Sequence, residues 1–386
     1  MKSYDWIVIG GGITGSSLGY ELAKKGYSVL LLEKDAIPDN ATYYSYGGLA
    51  YWSGTTPLTR QLCQEGIEIH RQLSAELEAD TEFRELDLVL TIAADNDPQT
   101  VLDSYAQFAI TPTLLNVKEA CELEPLLNPN AIASVLRLPH GHVHPQKTAQ
   151  SYQQAMVRAG GEIKIAKVLE PIVLDRHVKG VKTAEQNYYA ANTVVCAGGL
   201  SRFLLKTAGI SVPNYFTLAQ LIMTPPTDIE LRTLVMPAVQ KRFDIEAQTN
   251  PSSDCPSILD SGAIQFRDRS FCIGQISQVT SSPEAKADAV TGEARIRKGI
   301  GIIIPSLQNI PGTWHSCLVA FNNNSIALVG AIENFKGIYL FSGFTSTFVF
   351  APPLARRFAN WVAGEEDEII SQLQQFVISS STDRPI

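Results

Sequence analysis

Three glycines and one carboxylate near the N-terminus carry the clearest chemistry in this 386-residue chain. Gly10, Gly12 and Gly15 spell G-x-G-x-x-G within WIVIGGGITGSSLGYELAKKGYSVLLLEKD. Between a strand and a helix, the first glycine permits a tight turn and the second lets a pyrophosphate approach the backbone. The third lets the helix sit close to the sheet. Free amides at the helix start, with the helix dipole, favour a phosphate. Glu33 ends the following strand, where a carboxylate accepts both ribose hydroxyls and disfavours a 2′-phosphate. The stretch therefore predicts a dinucleotide other than NADP. It leaves FAD and NAD open.

The elements that must position these residues are legible around them. Trp6 to Ile9 is a short apolar run suited to a strand buried on both faces. Leu18 and Leu22 share one helical face, Gly26 fits a helix stop, and Tyr27 to Leu32 forms the second strand. Residues 36–54 are rich in turn formers and aromatics, and Ser45, Gly47 and Gly48 there would let backbone amides approach a ligand. Further on, the pattern predicts a helix over 58–77, a strand over 87–93, and short helices over 98–110 and 117–123. His140, His142 and His144 alternate, but no acidic or cysteine ligand is near to complete a metal shell. That stretch is expected to turn into a helix over 146–159. A strand over 162–168 and a hairpin over 171–183 follow. The apolar strand in NTVVCAGGLS (192–201) then runs into glycines. Residues 216–224 and 262–280 are strand-like, and 241–257 have loop composition. Near the C-terminus, SIALVG (325–330), a strand over 337–342, the turn Gly343-Phe344-Thr345-Ser346 and a helix over 351–364 repeat the strand–glycine–helix geometry. Pro352 falls in the first turn of that expected helix.

Composition bounds the rest. Hydrophobic residues make up 45% and charged residues 18%, enough for a large core and against disorder. The net charge is −8 with scattered basic residues, which argues against a nucleic-acid surface. No apolar run is long enough for a membrane span, and the N-terminus enters a core strand without a signal-peptide pattern. Six cysteines without a C-x-x-C spacing are expected to be reduced thiols of a cytoplasmic protein.

In this order, the motifs resemble the FAD-dependent D-amino-acid oxidase superfamily, nearest its glycine oxidase, sarcosine oxidase and D-amino-acid dehydrogenase branch. SYGGL (45–49), HVHPQKTAQSYQQAMVRAGGEI, NTVVCAGGLS and the segment from SIALVG to APPLARRFANWVAG match successive family segments. The resemblance implies FAD as cofactor. It implies an α/β fold: a Rossmann-type FAD-binding domain (1–85, 145–215 and 320–386), plus a smaller α+β substrate domain with a mixed, mainly antiparallel sheet (86–144 and 216–319). By the same resemblance Gly10, Gly12, Ile13, Thr14 and Gly15 hold the pyrophosphate, and Glu33, with Lys34 near it, holds the adenosine ribose. Ser45, Gly47, Gly48 and Leu49 line the flavin side, and Val168 meets adenine through its backbone. Ala197 and Gly198 pack on the cofactor, and Gly343, Phe344, Thr345 and Ser346 face the flavin's pyrimidine end.

The substrate end departs from the family. Amino-acid-oxidising members carry an arginine for the substrate carboxylate in a segment that here reads WHSCLVAFNNNSIALVG (314–330), without any arginine. Asn324 stands where aspartate is usual and Ala327 where proline is, and Thr347 and Phe348 follow Ser346 where a second glycine is usual. Tyr46, Arg60, Arg242 and Arg267 are the substrate-side candidates, and Cys317 is a candidate for a covalent flavin link. The implied activity is oxidation of the C–N bond of a small amine or amino acid by hydride transfer to flavin N5, with O2 or another electron acceptor. A hydroxy-acid dehydrogenase, or an FAD-stabilised assembly factor with vestigial chemistry, are the alternatives.

Overall fold

The central strand of the molecule is the one that leads into the glycine turn. The computed structural model describes residues 2–242, 256–280, 282–322 and 326–378. In chain order, β1 (Ser3–Ile9), α1 (Ile13–Lys24) and β2 (Val29–Glu33) form the first unit, followed by β3 (Gly48–Leu49) and α2 (Pro57–Glu76). Then come β4 (Arg84–Ala93), α3 (Pro98–Ser104), β5 (Thr113–Leu115), α4 (Val117–Leu123), β6 (Ile132–His142) and α5 (Pro145–Arg158). The middle holds β7 (Glu162–Ile165), β8 (Val168–Leu174), β9 (His177–Thr183), β10 (Asn187–Val195) and α6 (Ser201–Lys206). Next are β11 (Tyr215–Met223), β12 (Leu234–Pro237), β13 (Ile258–Gln265), β14 (Phe271–Thr280), α7 (Ala289–Ile303) and β15 (Thr313–Phe321). The chain closes with β16 (Leu328–Ala331), β17 (Ile338–Ser342), α8 (Thr347–Val362) and α9 (Glu368–Ile378).

The strands sort into two sheets. The first runs β16-β17-β10-β1-β2-β7, with the β8–β9 hairpin attached through β10. Its centre, β17-β10-β1-β2-β7, is parallel. Alternation in β1 feeds two cores. Trp6 and Val8 pack with Leu18, Tyr152 and Phe358 under helices α1, α5 and α8. Ile7 and Ile9 pack with Val178, Val181 and Leu205 under the hairpin and α6. The second sheet runs β15-β11-β14-β13-β12-β4-β6-β3, with β5 beside β6. It is antiparallel except where β12 joins β4. Helix α7 covers one face through Ile296 and Ile300. Tyr44, Trp52 and Tyr105 cover the other. The fold is thus α/β, a Rossmann-type layer beside a mixed, mainly antiparallel sheet.

Tertiary contacts moved several expected boundaries. The helix expected over 98–110 stops at Ser104, because Tyr105 and Phe108 turn inward onto Trp52 at 6.2 and 5.3 Å between ring centres. The expected turn over 138–144 is instead the end of β6, since pairing with β4 and with Gly48 carries the ladder to His142. Helix α8 begins at Thr347 rather than at 351, so Pro352 and Pro353 lie inside it. A proline has no N–H, so Pro352 leaves the Phe348 carbonyl without its usual helical donor. The buried His70 of α2 supplies one, with Nε2–H donating to Phe348 O at 2.7 Å. Residues 241–257, apart from their ends, lie outside the described residues, as do Asn324 and Cys255.

Candidate cofactor and active site

The dinucleotide cradle is built from backbone. Gly10 has φ +107°, and a Cβ there would lie 2.6 Å from Cys196 O. A Cβ on Gly15 would collide with the Gly10 carbonyl oxygen, so α1 reaches the turn only because residue 15 lacks a side chain. Glu33 is fixed at the end of β2: Gly11 N–H donates to Oε2 at 2.6 Å and Asp35 N–H to Oε1 at 3.1 Å. Lys34 pairs with Asp35. Ala166 N–H donates to Glu33 O at 2.7 Å, which brings Val168, the first residue of β8, to the same end of the sheet.

Two side chains that sequence patterns did not single out complete this end. Thr42 Oγ1 accepts from Ile13 N–H at 3.0 Å, at the α1 N-terminus beside Thr14. Gln153 of α5 donates to Gly11 O at 2.8 Å and to Ser16 Oγ at 3.1 Å. A hydroxyl in the loop after Glu33 was the available signal for Thr42. Nothing local marked Gln153.

Two further turns leave the ends of adjacent parallel strands. After β10, Ala197 leads into Gly198 (φ +54°), whose missing Cβ would meet nothing within 4 Å. After β17, Gly343 (φ +68°) leads to Ser346 (φ +40°), which precedes α8. Phe344 turns into the core, 4.9 Å from Phe341, and Thr345 N–H donates to Ile326 O at 2.9 Å. Gly47 and Gly48 meet β6 closely. A Cβ on Gly47 would collide with Val143 O, and one on Gly48 would lie 2.7 Å from His140 Nε2. Ser45 Oγ accepts from Gly47 N–H at 3.1 Å, and Leu49 is fully buried.

On the substrate sheet, Tyr46 O–H donates to Gly262 O at 3.3 Å. Burial, with Cys272 and Asp260 nearby, pushes this phenol well above its usual range, while Arg242 opposes the shift. Asp260 of β13 is buried, which raises its carboxyl, and Arg242 again opposes the rise. Of the three candidate arginines, Arg242 is the one whose charge acts on both Tyr46 and Asp260. Arg60 is exposed and bonds Gly54 O and Gln107 O. Arg267 is exposed in the β13–β14 turn and bonds Phe83 O.

The histidines are structural: His140 Nδ1 accepts from Trp52 Nε1–H at 3.1 Å, His142 Nδ1 accepts from Arg84 Nε–H at 3.3 Å, and His144 caps α5. No metal-holding cluster of His, Cys, Asp or Glu occurs among the described residues.

Cys317 is buried on β15, where Tyr44 stacks on His315 at 4.6 Å. Burial pushes its thiol up to about 12, so it is not a thiolate at neutral pH. Acid precipitation of the holoprotein should therefore leave a yellow supernatant and a colourless pellet. Colour retained in the pellet would establish a covalent link instead.

A glycine cradle, a fixed Glu33, two more glycine turns at parallel strand ends and a second sheet beside them define a two-domain dinucleotide-binding oxidoreductase. The sequence pattern of the family described as FAD dependent oxidoreductase (DAO) matches residues 5–361, and the chain belongs to that family. FAD is its cofactor, and the residues present fit a dinucleotide: the turn before α1 has no room for side chains at Gly10 and Gly15, and the Glu33 carboxylate is held beside it by Gly11 N–H. The chain is similar to the 4-methylaminobutanoate oxidase (formaldehyde-forming) of Paenarthrobacter nicotinovorans, 23% identical over 92% of this chain but only 43% of that protein. It is also similar to the oxidoreductase YurR of Bacillus subtilis, 24% identical over 96% of this chain and 97% of the relative. The glycine oxidase of Geobacillus kaustophilus has the same fold, with a TM-score of 0.79 at 18% identity, covering 95% of this chain and 96% of that one. No helix among the described residues is long and apolar enough to cross a membrane.

Proposed function

We propose that this protein oxidises the C–N bond of a small amine or amino acid by hydride transfer to flavin N5, with O2 or another acceptor taking the electrons. The relatives' names, which include amine and amino-acid oxidases, support the donor class. What supports an anionic group on the substrate is Arg242, whose charge is felt at both Tyr46 and the Asp260 of β13, in a chain whose 314–330 segment has no arginine.

The amides of Gly12, Thr14 and Gly15 at the α1 start would hold the pyrophosphate, in a turn shaped by Gly10 and Ile13, and Glu33 would hold the adenosine ribose. The turns at Ala197–Gly198 and Gly343–Ser346 would meet the flavin end. Bound FAD supplies the two-electron acceptor. The chain's own residues bind and orient. Arg242 would grip an anionic substrate group, and Asp260 would fix its guanidinium. Tyr46 keeps its proton at neutral pH and donates it to Gly262 O, so it serves to hold its own ring in place beside the substrate sheet. The five described cysteines are unpaired, which supports a cytoplasmic setting.

The test is anaerobic bleaching of the flavin's visible absorbance by amines, amino acids and hydroxy acids. Bleaching by amines or amino acids is expected. Bleaching by hydroxy acids alone would replace this reading, and none with any compound would remove it. With the substrate so found, Arg242→Lys should raise KM by about tenfold or more, the scale of one lost bidentate charge pair. Arg60→Ala and Arg267→Ala should leave KM within about twofold, as exposed sites do. An unchanged KM in Arg242→Lys would sink the assignment.

A further inference from the structure

We propose that Asn214 and Asn322 are positioning residues that hold the two flavin-facing glycine turns and lock them to the substrate sheet. The inference rests on the cofactor placement proposed above. Asn214 is fully buried, and its Nδ2 donates to Gly198 O at 3.1 Å and to Ser342 Oγ at 3.4 Å. Asn322 is buried too, and its Nδ2 donates to Gly343 O at 2.7 Å. Each amide thus grips the carbonyl of a left-handed glycine, and so sets the plane of the peptide that follows it. The two side chains meet around one residue. A Cβ on Gly343 would lie 3.0 Å from Asn214 Oδ1 and 3.4 Å from Asn322 Nδ2.

Their places in the chain give the arrangement its meaning. Asn214 directly precedes β11 and Asn322 directly follows β15, and Tyr215 pairs with Phe321. The chain enters this part of the substrate sheet at one asparagine and leaves it at the other. Any shift of the sheet is therefore transmitted to both turns through two short polar side chains. Asn214 Oδ1 is buried without a hydrogen-bond partner among the described residues. A buried acceptor left open is unfavourable, and a turned-over amide would set that oxygen against Gly198 O. The grip on Gly198 O fixes the amide's orientation at the expense of its acceptor, as expected of a group kept for position.

The experiment uses holoenzyme carrying Asn214→Asp or Asn322→Asp, which keep the shape and remove the donor. Each should weaken FAD binding about tenfold or more, the scale of a lost buried donor, and shift the visible flavin maxima. Glu124→Gln is the stability control. Glu124 is fully buried in the substrate domain and accepts from Arg232 and Thr233 N–H at 2.8 and 3.1 Å. It should lower the unfolding midpoint without moving the spectrum. Asparagine variants that lose stability but keep the wild-type spectrum and FAD affinity would overturn the proposal. Should Asn214→Asp fail to fold, Asn322→Ser decides on the same readouts. Gly198→Asn separates the two layers of the argument by placing a side chain that tolerates the left-handed backbone in the space beside that turn, where no described atom lies within 4 Å. If it shifts the spectrum while the asparagine variants do not, only this proposal falls. If it too changes nothing, the cofactor placement fails and takes the proposal with it.

Discussion

A Gly15→Ala protein should purify colourless. The added Cβ would collide with the Gly10 carbonyl oxygen, which is backbone and cannot rotate aside. Helix α1 must then move away from the turn, or the turn must reopen. Either response disperses the amides that converge on the pyrophosphate. Overpacking of this kind costs about 1–3 kcal/mol. Loss of bound cofactor removes about 2.7 kcal/mol more when FAD stands near 100 times its Kd. We expect FAD affinity to fall at least about 100-fold, since both the amide set and the helix terminus are displaced. The comparison is Gly26→Ala, where φ is +88° but nothing lies within 4 Å of the new Cβ. That variant should lose about 1 kcal/mol from backbone strain alone and stay yellow. Flavin content per chain and a titration of apoprotein with FAD read the difference. A Gly15→Ala protein with full flavin content would refute the close-approach argument.

The second large effect is acid sensitivity. Burial holds His70 at about 4 and His140 at about 3, and burial with the neighbouring Arg84 holds His142 well below its ordinary value. These rings are neutral when folded and titrate near 6.5 when unfolded. Between those values the unfolded chain binds more protons, so stability is full above about pH 6.5 and declines as pH falls through the window. Each ring contributes up to about 1.4 kcal/mol per pH unit, and the three together roughly 4. Buried Glu21 and Asp260, whose carboxyls are raised, act in the opposite sense and soften the slope. Against a total stability of about 5–15 kcal/mol, the net loss between pH 7 and 5 is large. Urea midpoints at pH 8, 6 and 5 should fall steeply below 6.5. His70→Gln can still donate to Phe348 O but has no ring to protonate, and should remove about a third of the slope. Equal midpoints at pH 7 and 5 would show that these rings are not held neutral.

What was legible in the sequence was local. The glycine turn, Glu33 and the strands around them announce themselves because tight turns and helix starts are set by adjacent residues. The hairpin expected over 171–183 was readable for the same reason, though β8 begins at Val168, inside the strand expected over 162–168. Long-range pairing was not readable: β6 runs through Pro139 and Gly141 because β4 and β3 lie beside it. Gly47 and Gly48 were marked for approach to a ligand, and what a Cβ on them would meet is Val143 O and His140 Nε2 of the chain itself. Thr42, Gln153, Asn214 and Asn322 carry no motif, since each acts across more than a dozen residues of chain. Arg242 could be named by residue type alone. Only folding separated it from Arg60 and Arg267.

The pairing of Tyr215 with Phe321 has an evolutionary reading. A segment of about a hundred residues, β11 to β15, begins and ends at neighbouring points of one ladder. The segment is nonetheless not self-contained: β12 pairs with β4, and the two ends carry Asn214 and Asn322 onto Gly198 and Gly343, so it can change only together with the layer beside it. The sequence agrees with this: its cofactor motifs resemble the family's, and its 314–330 segment, which ends the substrate sheet, lacks the family's arginine.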